Sequence, residues 1–382
     1  VNILMIDYEY PPLGGGGGVL NKLLAEALVE RGHSIALITS RYGNQPAHET
    51  QGGVELFRVP VPFRSDRNAA SLVSMLAFFP SSLLSGIRIL RKRRFDVIHS
   101  MFAVPSGPSG LFLSGIFHKP HVVSLLGGDI YDPSKKLSPH RAPMLHQTVG
   151  LILRRSDAVV TMSRDIRRRA LKYFDVQRDI ALIPHGIPEP HFVPAKRASY
   201  GFDGDDILLI TVGRLVRRKA VHELIQAVAR LADGRVKLLV IGDGPQRGGL
   251  EQTASDLNVT DQVFFFGNVN DNEKFALLDL ADIYVSASWH EGFGIVFLEA
   301  MATGLPVVCY DNGGQVDFLG NGRSGVLVPV GKPEQLADRI RDLILDPGRR
   351  RQMADFNRRH VRNFFIGVCA QQYEAQYRRL TA

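Results

Sequence analysis

Residues 287–306 read Ala-Ser-Trp-His-Glu-Gly-Phe-Gly-Ile-Val-Phe-Leu-Glu-Ala-Met-Ala-Thr-Gly-Leu-Pro, with Glu291 and Glu299 eight positions apart. Just upstream, Asp282-Ile-Tyr-Val-Ser286 reads as a buried strand. From Ile295 to Ala302 few breakers occur, and Gly304 and Pro306 close the helix expected there. Glu291 therefore falls in a strand-to-helix loop and Glu299 inside the helix. Gly292 and Gly294, around Phe293 and just before Ile295, let backbone N–H groups approach a ligand at a helix N-terminus, where phosphate binds well. A loop carboxylate for hydroxyls, amides for a diphosphate and a helix carboxylate for a ribose diol would together hold a nucleotide-sugar. The plainer alternative is a solvated loop glutamate followed by an ordinary helix glutamate.

Working outward, a βα series runs on both sides of this stretch. Its strands are Ile207–Val212, Val236–Ile241, Val263–Phe266, Val307–Tyr310 and Gly325–Val328. The first half has its own series: Val1–Ile6, Ser34–Thr39, Phe95–Ser100, Val122–Leu126 and Ala158–Met162. The 382 residues suit two domains better than one core. Pro188 to Asp206, rich in Pro, Gly and charge, reads as the linker. The expected fold is α/β with two Rossmann-like domains, residues 1–190 and 191–364, facing each other across a cleft where ligands bind. Five glycines, Gly14 to Gly18, run into the first helix. They give no Gly-x-Gly-x-x-Gly dinucleotide fingerprint, and the second strand ends in Thr39-Ser40-Arg41, not the acid that would hold an NAD ribose.

Arg214 and Lys219, in Val212-Gly-Arg-Leu-Val-Arg-Arg-Lys-Ala220, lie across another strand-to-helix turn. Two cations fixed beside a helix N-terminus can neutralise a diphosphate leaving group. With this motif in place, the spacing Glu291-x7-Glu299 closely resembles the signature of the family-4 retaining glycosyltransferases, which have the GT-B fold. The resemblance covers nearly the whole chain and is strongest from about Leu208 to Pro329. It implies that Arg214 and Lys219 are the diphosphate ligands, that Glu291 contacts the transferred sugar and that Glu299 contacts the donor ribose. Ala220 stands where the family usually has Gly. The resemblance also sets Gly15 and Gly16 against the donor, places the Gly242 turn at a strand end, and puts Val269 where relatives hold the base through backbone contacts. Asp271 and Lys274 follow and could read base edges, leaving UDP and GDP both open as carrier. The last helix, about residues 365–382, crosses back onto the first domain in that family.

No metal or cofactor constellation is apparent, and the donor is expected to be a substrate, a nucleoside diphosphate sugar. Two cysteines, Cys309 and Cys369, give neither metal spacing nor a disulfide framework and fit a reducing cytoplasm. Arg217 and Arg218 read as solvated. In the first half, Gly127-Gly-Asp-Ile-Tyr-Asp132 follows a strand, and Asp129 could orient or deprotonate an acceptor hydroxyl, or simply cap a turn. A lone strand-end histidine, His99, reads as structural.

The net charge of +8 is uneven: residues 1–185 carry 23 basic and 14 acidic side chains. That half is expected to face something anionic, or to be a soluble basic surface. Ser71 to Arg94 is apolar, ends in Arg91-Lys-Arg-Arg94 and is interrupted by Pro80, Gly86 and Arg88, which makes it a poor spanning helix. It suits either a helix lying in an anionic membrane interface or a core helix with a basic end. Arg164, Arg167-Arg-Arg169 and Lys172 could continue the same face. Few aromatics interleave these clusters, which argues against nucleic acid. The expectation is a metal-independent, retaining hexosyltransferase, cytoplasmic or at the inner face of the membrane, acting on a lipid-linked or envelope glycan precursor. Alternatives are a nucleotide-sugar epimerase, a phosphorylase, or a non-catalytic basic membrane-binding module.

Overall fold

Strands buried on both faces must be near-continuous apolar runs, and such runs form the parallel sheets of this computed structural model. It describes residues 1–62, 71–132, 137–190, 195–320 and 322–382, without the Leu72 side chain. The chain divides into two units, Val1–Pro188 with Phe365–Ala382, and Glu189–Phe364. Residues 191–194 of the expected linker lie outside the described residues. The rest of that segment is less of a linker than its composition indicates. Arg197 donates to the Asp206 and Leu280 carbonyls and to Asp282, and Phe202 is buried edge-on against Phe264.

Unit 1 runs β1 (Asn2–Asp7), α1 (Gly16–Glu30), β2 (Ser34–Ser40), β3 (His48–Gln51), β4 (Val54–Val59), α2 (Leu72–Lys92), β5 (Val97–Met101), α3 (Ser106–Phe117), β6 (His121–Leu125), α4 (Pro143–Arg155), β7 (Ala158–Thr161), α5 (Arg164–Phe174) and β8 (Ala181–Leu182). Its eight strands lie in the order β3-β4-β2-β1-β5-β6-β7-β8, all pairs parallel except β3 with β4. The β3–β4 hairpin is an addition to the strands expected from sequence.

Helix α2 runs unbroken through Pro80. A proline inside a helix removes one hydrogen bond; here Pro80 is exposed, so the carbonyl it leaves lies on the solvent side. By length and composition Val73–Lys92 could cross a membrane, yet one face is committed to the core through Phe78, Ile89 and Leu90. The opposite stripe, Val73, Leu76 and Leu84, is exposed, as are Phe112 and Ile116 on the adjoining α3.

Unit 2 runs β9 (Ile207–Val212), α6 (Val221–Leu231), β10 (Val236–Ile241), α7 (Arg247–Asp256), β11 (Val263–Gly267), α8 (Asp271–Leu280), β12 (Ile283–Ser286), α9 (Ile295–Thr303), β13 (Val307–Tyr310), β14 (Gly325–Val328), α10 (Pro333–Leu345) and α11 (Pro347–His360). The six-stranded sheet is parallel, in the order β11-β10-β9-β12-β13-β14. Leu209, Val240, Ile283 and Val308 from the sheet pack with Leu224, Val228 and Ile340 from the helices to form its core. The chain then returns to unit 1 as α12 (Ile366–Thr381). Tyr377 bonds His99 Nδ1 at 2.7 Å, Tyr373 bonds Ser124 Oγ at 2.8 Å, and Ser124 bonds His99 Nε2 at 2.8 Å. Burial pushes His99 down to about 3, so this imidazole is neutral and structural.

Candidate active site

Open α/β sheets place ligands beyond the carboxyl ends of their strands. In unit 2 two such ends meet at the loops after β9 and β12. Lys219 closes a short 3-10 turn, Arg217–Lys219, and its ammonium is ion-paired with Glu291. Both are largely out of water, with side chains 14% and 8% exposed. Burial raises the Glu291 carboxyl, but the Lys219 and Arg218 charges outweigh it, and its pKa lies below the usual value. Glu291 is therefore a carboxylate near neutral pH.

The loops are tied to each other by groups that sequence spacing did not mark. Arg218, expected to be solvated, donates to the His290 carbonyl at 3.2 Å and lies 3.7 Å from Glu291, while its own carbonyl accepts from Trp289 N–H at 2.9 Å. Trp289 Nε1 donates to Glu223 on α6 at 2.7 Å, and the Tyr310 hydroxyl donates to the other Glu223 oxygen. Asn312 Nδ2 holds the Trp289 carbonyl at 2.6 Å, and Gly314 N–H bonds the Glu291 carbonyl at 2.8 Å. Thus Arg218, Glu223, Trp289, Tyr310 and Asn312 fix where Glu291 points. Only the closeness of Arg218 and Trp289 to the motif residues could have flagged any of them.

Helix α9 begins at Gly294, whose φ of +88° is left-handed and where a Cβ would stand 2.6 Å from the Phe297 ring. No side chain caps this helix, and of its first amides Phe297 N–H bonds the Gly294 carbonyl at 3.1 Å. Phe293 is buried edge-on against Phe318, so its ring serves the core; Gly292 and Ile295 flank it at the start of α9. Glu299 is 7% exposed; one oxygen pairs with Lys274 at 2.8 Å and the other is buried without a partner. Burial holds its carboxyl above the ordinary range, against the pull of Lys274. Lys274 also pairs with Asp271 at 2.9 Å, the latter almost fully exposed. Arg214 is exposed and has no carboxylate partner among the described residues.

Gly242 has a role the sequence did not show. A Cβ there would lie 2.2 Å from the Gly213 carbonyl, so glycine permits the loops after β9 and β10 to touch. Val269 is half-buried, two residues past β11. Ala220 occupies the left-handed region at φ +46°, an arrangement that costs a non-glycine residue about 1–2 kcal/mol.

In unit 1 the glycine run divides in two. A Cβ on Gly18 would lie 2.3 Å from the Glu9 carbonyl and one on Gly14 would strike the Glu9 side chain, whereas Gly15 and Gly16 have nothing within 4 Å. A Cβ on Gly17 would lie 2.9 Å from the Phe102 ring, so packing constrains Gly14, Gly17 and Gly18, while Gly15 and Gly16 face open space. Asp129 accepts from Ala103 N–H at 2.7 Å, Gly127 N–H at 2.8 Å and Leu126 N–H at 3.1 Å. Burial pushes it up to about 6 against those bonds. Both oxygens thus accept from backbone N–H groups, which fixes the carboxylate within its loop. His185 is buried, with Nδ1 at 2.9 Å from Gly186 N–H.

The second basic run is also not what its composition indicates. Asp165 pairs with Arg168 and Arg169, each at 2.6 Å, and Arg167 pairs with Asp179 at 2.6 Å. Two carboxylates thus pin three of the five cations of Arg164–Phe174 and offset part of their charge. Among the described residues, no group of three or more His, Cys, Asp or Glu side chains converges as a metal site.

Comparison with known proteins matches residues 192–360 to the model for glycosyl transferases group 1, and residues 15–186 to that for the glycosyl transferase 4-like domain. The chain is 27% identical over 391 residues to the N-acetyl-alpha-D-glucosaminyl L-malate synthase of Bacillus anthracis, covering 98% of this chain and 96% of that protein. Among solved structures it is similar to the sucrose-phosphate synthase of Thermosynechococcus elongatus, with a TM-score of 0.86, 25% identity and coverage of 99% and 98%. The fold is also that of HepE from Anabaena, solved with UDP, at a TM-score of 0.81 and 20% identity over the full length of both chains.

Proposed function

The chain belongs to the family-4-type glycosyltransferases of GT-B fold, and from that membership we propose that it is a retaining, metal-independent hexosyltransferase. It moves a sugar from a UDP- or GDP-linked donor to a hydroxyl of a lipid-linked or envelope glycan precursor. The observation that carries this reading is the buried Lys219–Glu291 ion pair at the uncapped, glycine-led start of α9, with Glu299 keeping one unpartnered oxygen in the same helix.

Lys219 and the exposed Arg214 stabilise the diphosphate as it departs, and the α9 amides add oriented dipoles at the same point. Ionised Glu291 accepts hydroxyls of the transferred sugar, and the free oxygen of Glu299 accepts from the ribose. The bond from C1 to the phosphate oxygen breaks as the acceptor oxygen bonds C1 on the same face. The leaving phosphate oxygen takes the acceptor proton, so no protein base is needed, in keeping with the occupied oxygens of Asp129. The base-edge role of Asp271 and Lys274 stays part of this proposal, with Lys274 also holding Glu299 in place.

The membrane side of the reading rests on unit 1. Val73, Leu76 and Leu84 of α2 and Phe112 and Ile116 of α3 form an exposed apolar face, and Arg91, Lys92 and Arg94 end α2 in the open. Arg93 is instead tied to Glu55 at 2.9 Å. Such a face suits the cytoplasmic surface of an anionic bilayer.

The test is a nucleotide-sugar panel read by thermal shift and by donor hydrolysis, with and without EDTA. A donor that stabilises the protein and is hydrolysed in EDTA, giving a product of retained anomeric configuration, is the expected outcome. Failure of every nucleotide-sugar refutes the transferase; a requirement for Mg²⁺ refutes the cationic leaving-group scheme. Release of an epimerised sugar nucleotide without acceptor, or dependence on inorganic phosphate, favours an epimerase or a phosphorylase.

A further inference from the structure

A cavity of about 280 Å³ opens in unit 1, lined by Pro11, Pro12, Gln45, Glu49, Gln51 and Arg58. It lies where the β3–β4 hairpin meets the loop leaving β1, the loop that carries Gly14–Gly18. Its deepest charge is Arg58, with a side chain 2% exposed. A guanidinium is withdrawn from water this far only when it is paired, since the desolvation cost is several kcal/mol. Glu49, 37% exposed, pairs with it at 2.5 Å, and the Pro46 carbonyl accepts from Nη1 at 3.3 Å. The Tyr10 hydroxyl is buried with no hydrogen-bond partner, within electrostatic reach of Glu26, Asp7, Arg58 and Glu49.

The wall chemistry selects the ligand. Arg58 and Glu49 cancel, so a phosphate or a carboxylate gains no net attraction. The buried guanidinium is already engaged by Glu49 and the Pro46 carbonyl, so a ligand meets the half-exposed Glu49 carboxylate, which only accepts, and the two carboxamides, which donate and accept. A vicinal diol matches that mixture, because each hydroxyl donates to one group and accepts from another. Pro11 and Pro12 supply a flat apolar wall for the C–H face of a ring. Ligand pockets run from about 300 to 1,000 Å³, so this one fits a single ring and not an oligosaccharide.

We propose that the cavity between Pro11–Pro12 and the β3–β4 hairpin binds one neutral polyhydroxylated ring, a sugar or cyclitol, through the Glu49 carboxylate, whose charge the buried Arg58 balances, and the amides of Gln45 and Gln51. That the ring belongs to the acceptor rests on the transferase reading; that it binds does not.

Saturation-transfer NMR on the full chain tests this with methyl α-glucoside, methyl α-mannoside, methyl α-galactoside and myo-inositol as neutral probes, and glucose 6-phosphate as the charged one. At least one neutral ring should bind in the millimolar range, and glucose 6-phosphate no more tightly. Glu49→Ala and the rim change Gln45→Ala should each weaken binding about tenfold, the loss of roughly one good hydrogen bond, while UDP-glucose binding is unchanged. Should Glu49→Ala fail to fold by circular dichroism, Gln45→Ala decides alone. Silence from all four neutral rings, tighter binding of the phosphate, or undiminished binding in folded Glu49→Ala or Gln45→Ala overturns the site. UDP-glucose binding without ring binding sinks this site and spares the transferase. Ring binding with no nucleotide-sugar turned over does the reverse.

Discussion

Replacing Lys219 by Met removes the near cation from a carboxylate that the fold has already taken out of water. Because the pair is buried, with side chains 14% and 8% exposed, the relevant cost is that of stranding a buried charge, about 3–5 kcal/mol, not the 0–1 kcal/mol or so of a surface pair. Arg218 remains 3.7 Å away but is 46% exposed and recovers little. The pH dependence carries the sign. In the wild type the Glu291 carboxyl lies below its ordinary value of 4.5, so the stability it contributes is fully present above that value and is lost as pH falls through the lower folded one. In Lys219→Met the largest opposing charge is gone and burial is met only by the half-exposed Arg218 and by Ser288, so the folded pKa rises. The destabilisation is then full at neutral pH and shrinks as the carboxyl takes up a proton.

Trp289 is the only tryptophan in the chain and stands two residues before Glu291, so urea titrations followed by its fluorescence report on unit 2 alone. The variant should lose about 3 kcal/mol or more at about pH 7 and distinctly less at about pH 5. Lys219→Met with Glu291→Gln should recover most of the stability, since the stranded charge is gone. Neither variant should recover turnover, which falls by ~10²-fold or more when a preorganised electrostatic contact is lost. A loss below about 1 kcal/mol, or one that does not change with pH, refutes the buried-pair argument. Near-normal turnover in either folded variant refutes the site.

Glu223→Ala should orphan Trp289 Nε1 and the Tyr310 hydroxyl, at about 1–3 kcal/mol for each buried donor, and should red-shift the tryptophan emission as the Glu291 loop loosens; an unchanged spectrum argues against the clamp. Gly18→Ala should fail to fold or be strongly destabilised by its clash with the Glu9 carbonyl, whereas Gly16→Ala should fold normally and lose turnover. Equal stability of the two in thermal melts contradicts that division. The wild type should sediment with anionic but not neutral vesicles, and changing Arg91, Lys92 and Arg94 to Ser should remove about 3 kcal/mol, roughly 1 per cation near the surface; absence of binding at low salt ends the membrane reading and leaves the transferase standing.

The α9 stretch was legible because its two signals are local: an apolar run sets the helix, and glycine sets where it starts. The β9 and β12 loops were legible for the same reason. What ties them together was not. Glu223 and Trp289 are 66 positions apart in sequence, and a helix-face glutamate carries no local sign of a distant indole. Arg218 read as solvated because the motif gives it no role; its backbone carbonyl and one guanidinium nitrogen do the positioning. The β3–β4 hairpin was missed because β3, His-Glu-Thr-Gln, is polar and mostly exposed. Asp129 is the opposite case, since its residue type and loop fit a base equally well, and only the structure shows the three amides that fix it. Pro80 was read as an interruption, yet α2 runs through it with the proline on its exposed face.

Helix α12 completes a unit whose other residues were made some 180 positions earlier. On the ribosome, at about 5–20 residues per second, unit 1 must therefore wait for the whole of unit 2 to be synthesised before Tyr373 and Tyr377 can reach Ser124 and His99. Until then α1 lacks a neighbour and a neutral imidazole lies in an unfinished core. The later-made half is the one able to finish folding first, so the order of maturation runs against the order of translation, and the half-made chain presents its apolar N-terminal surface to chaperones for the longest time.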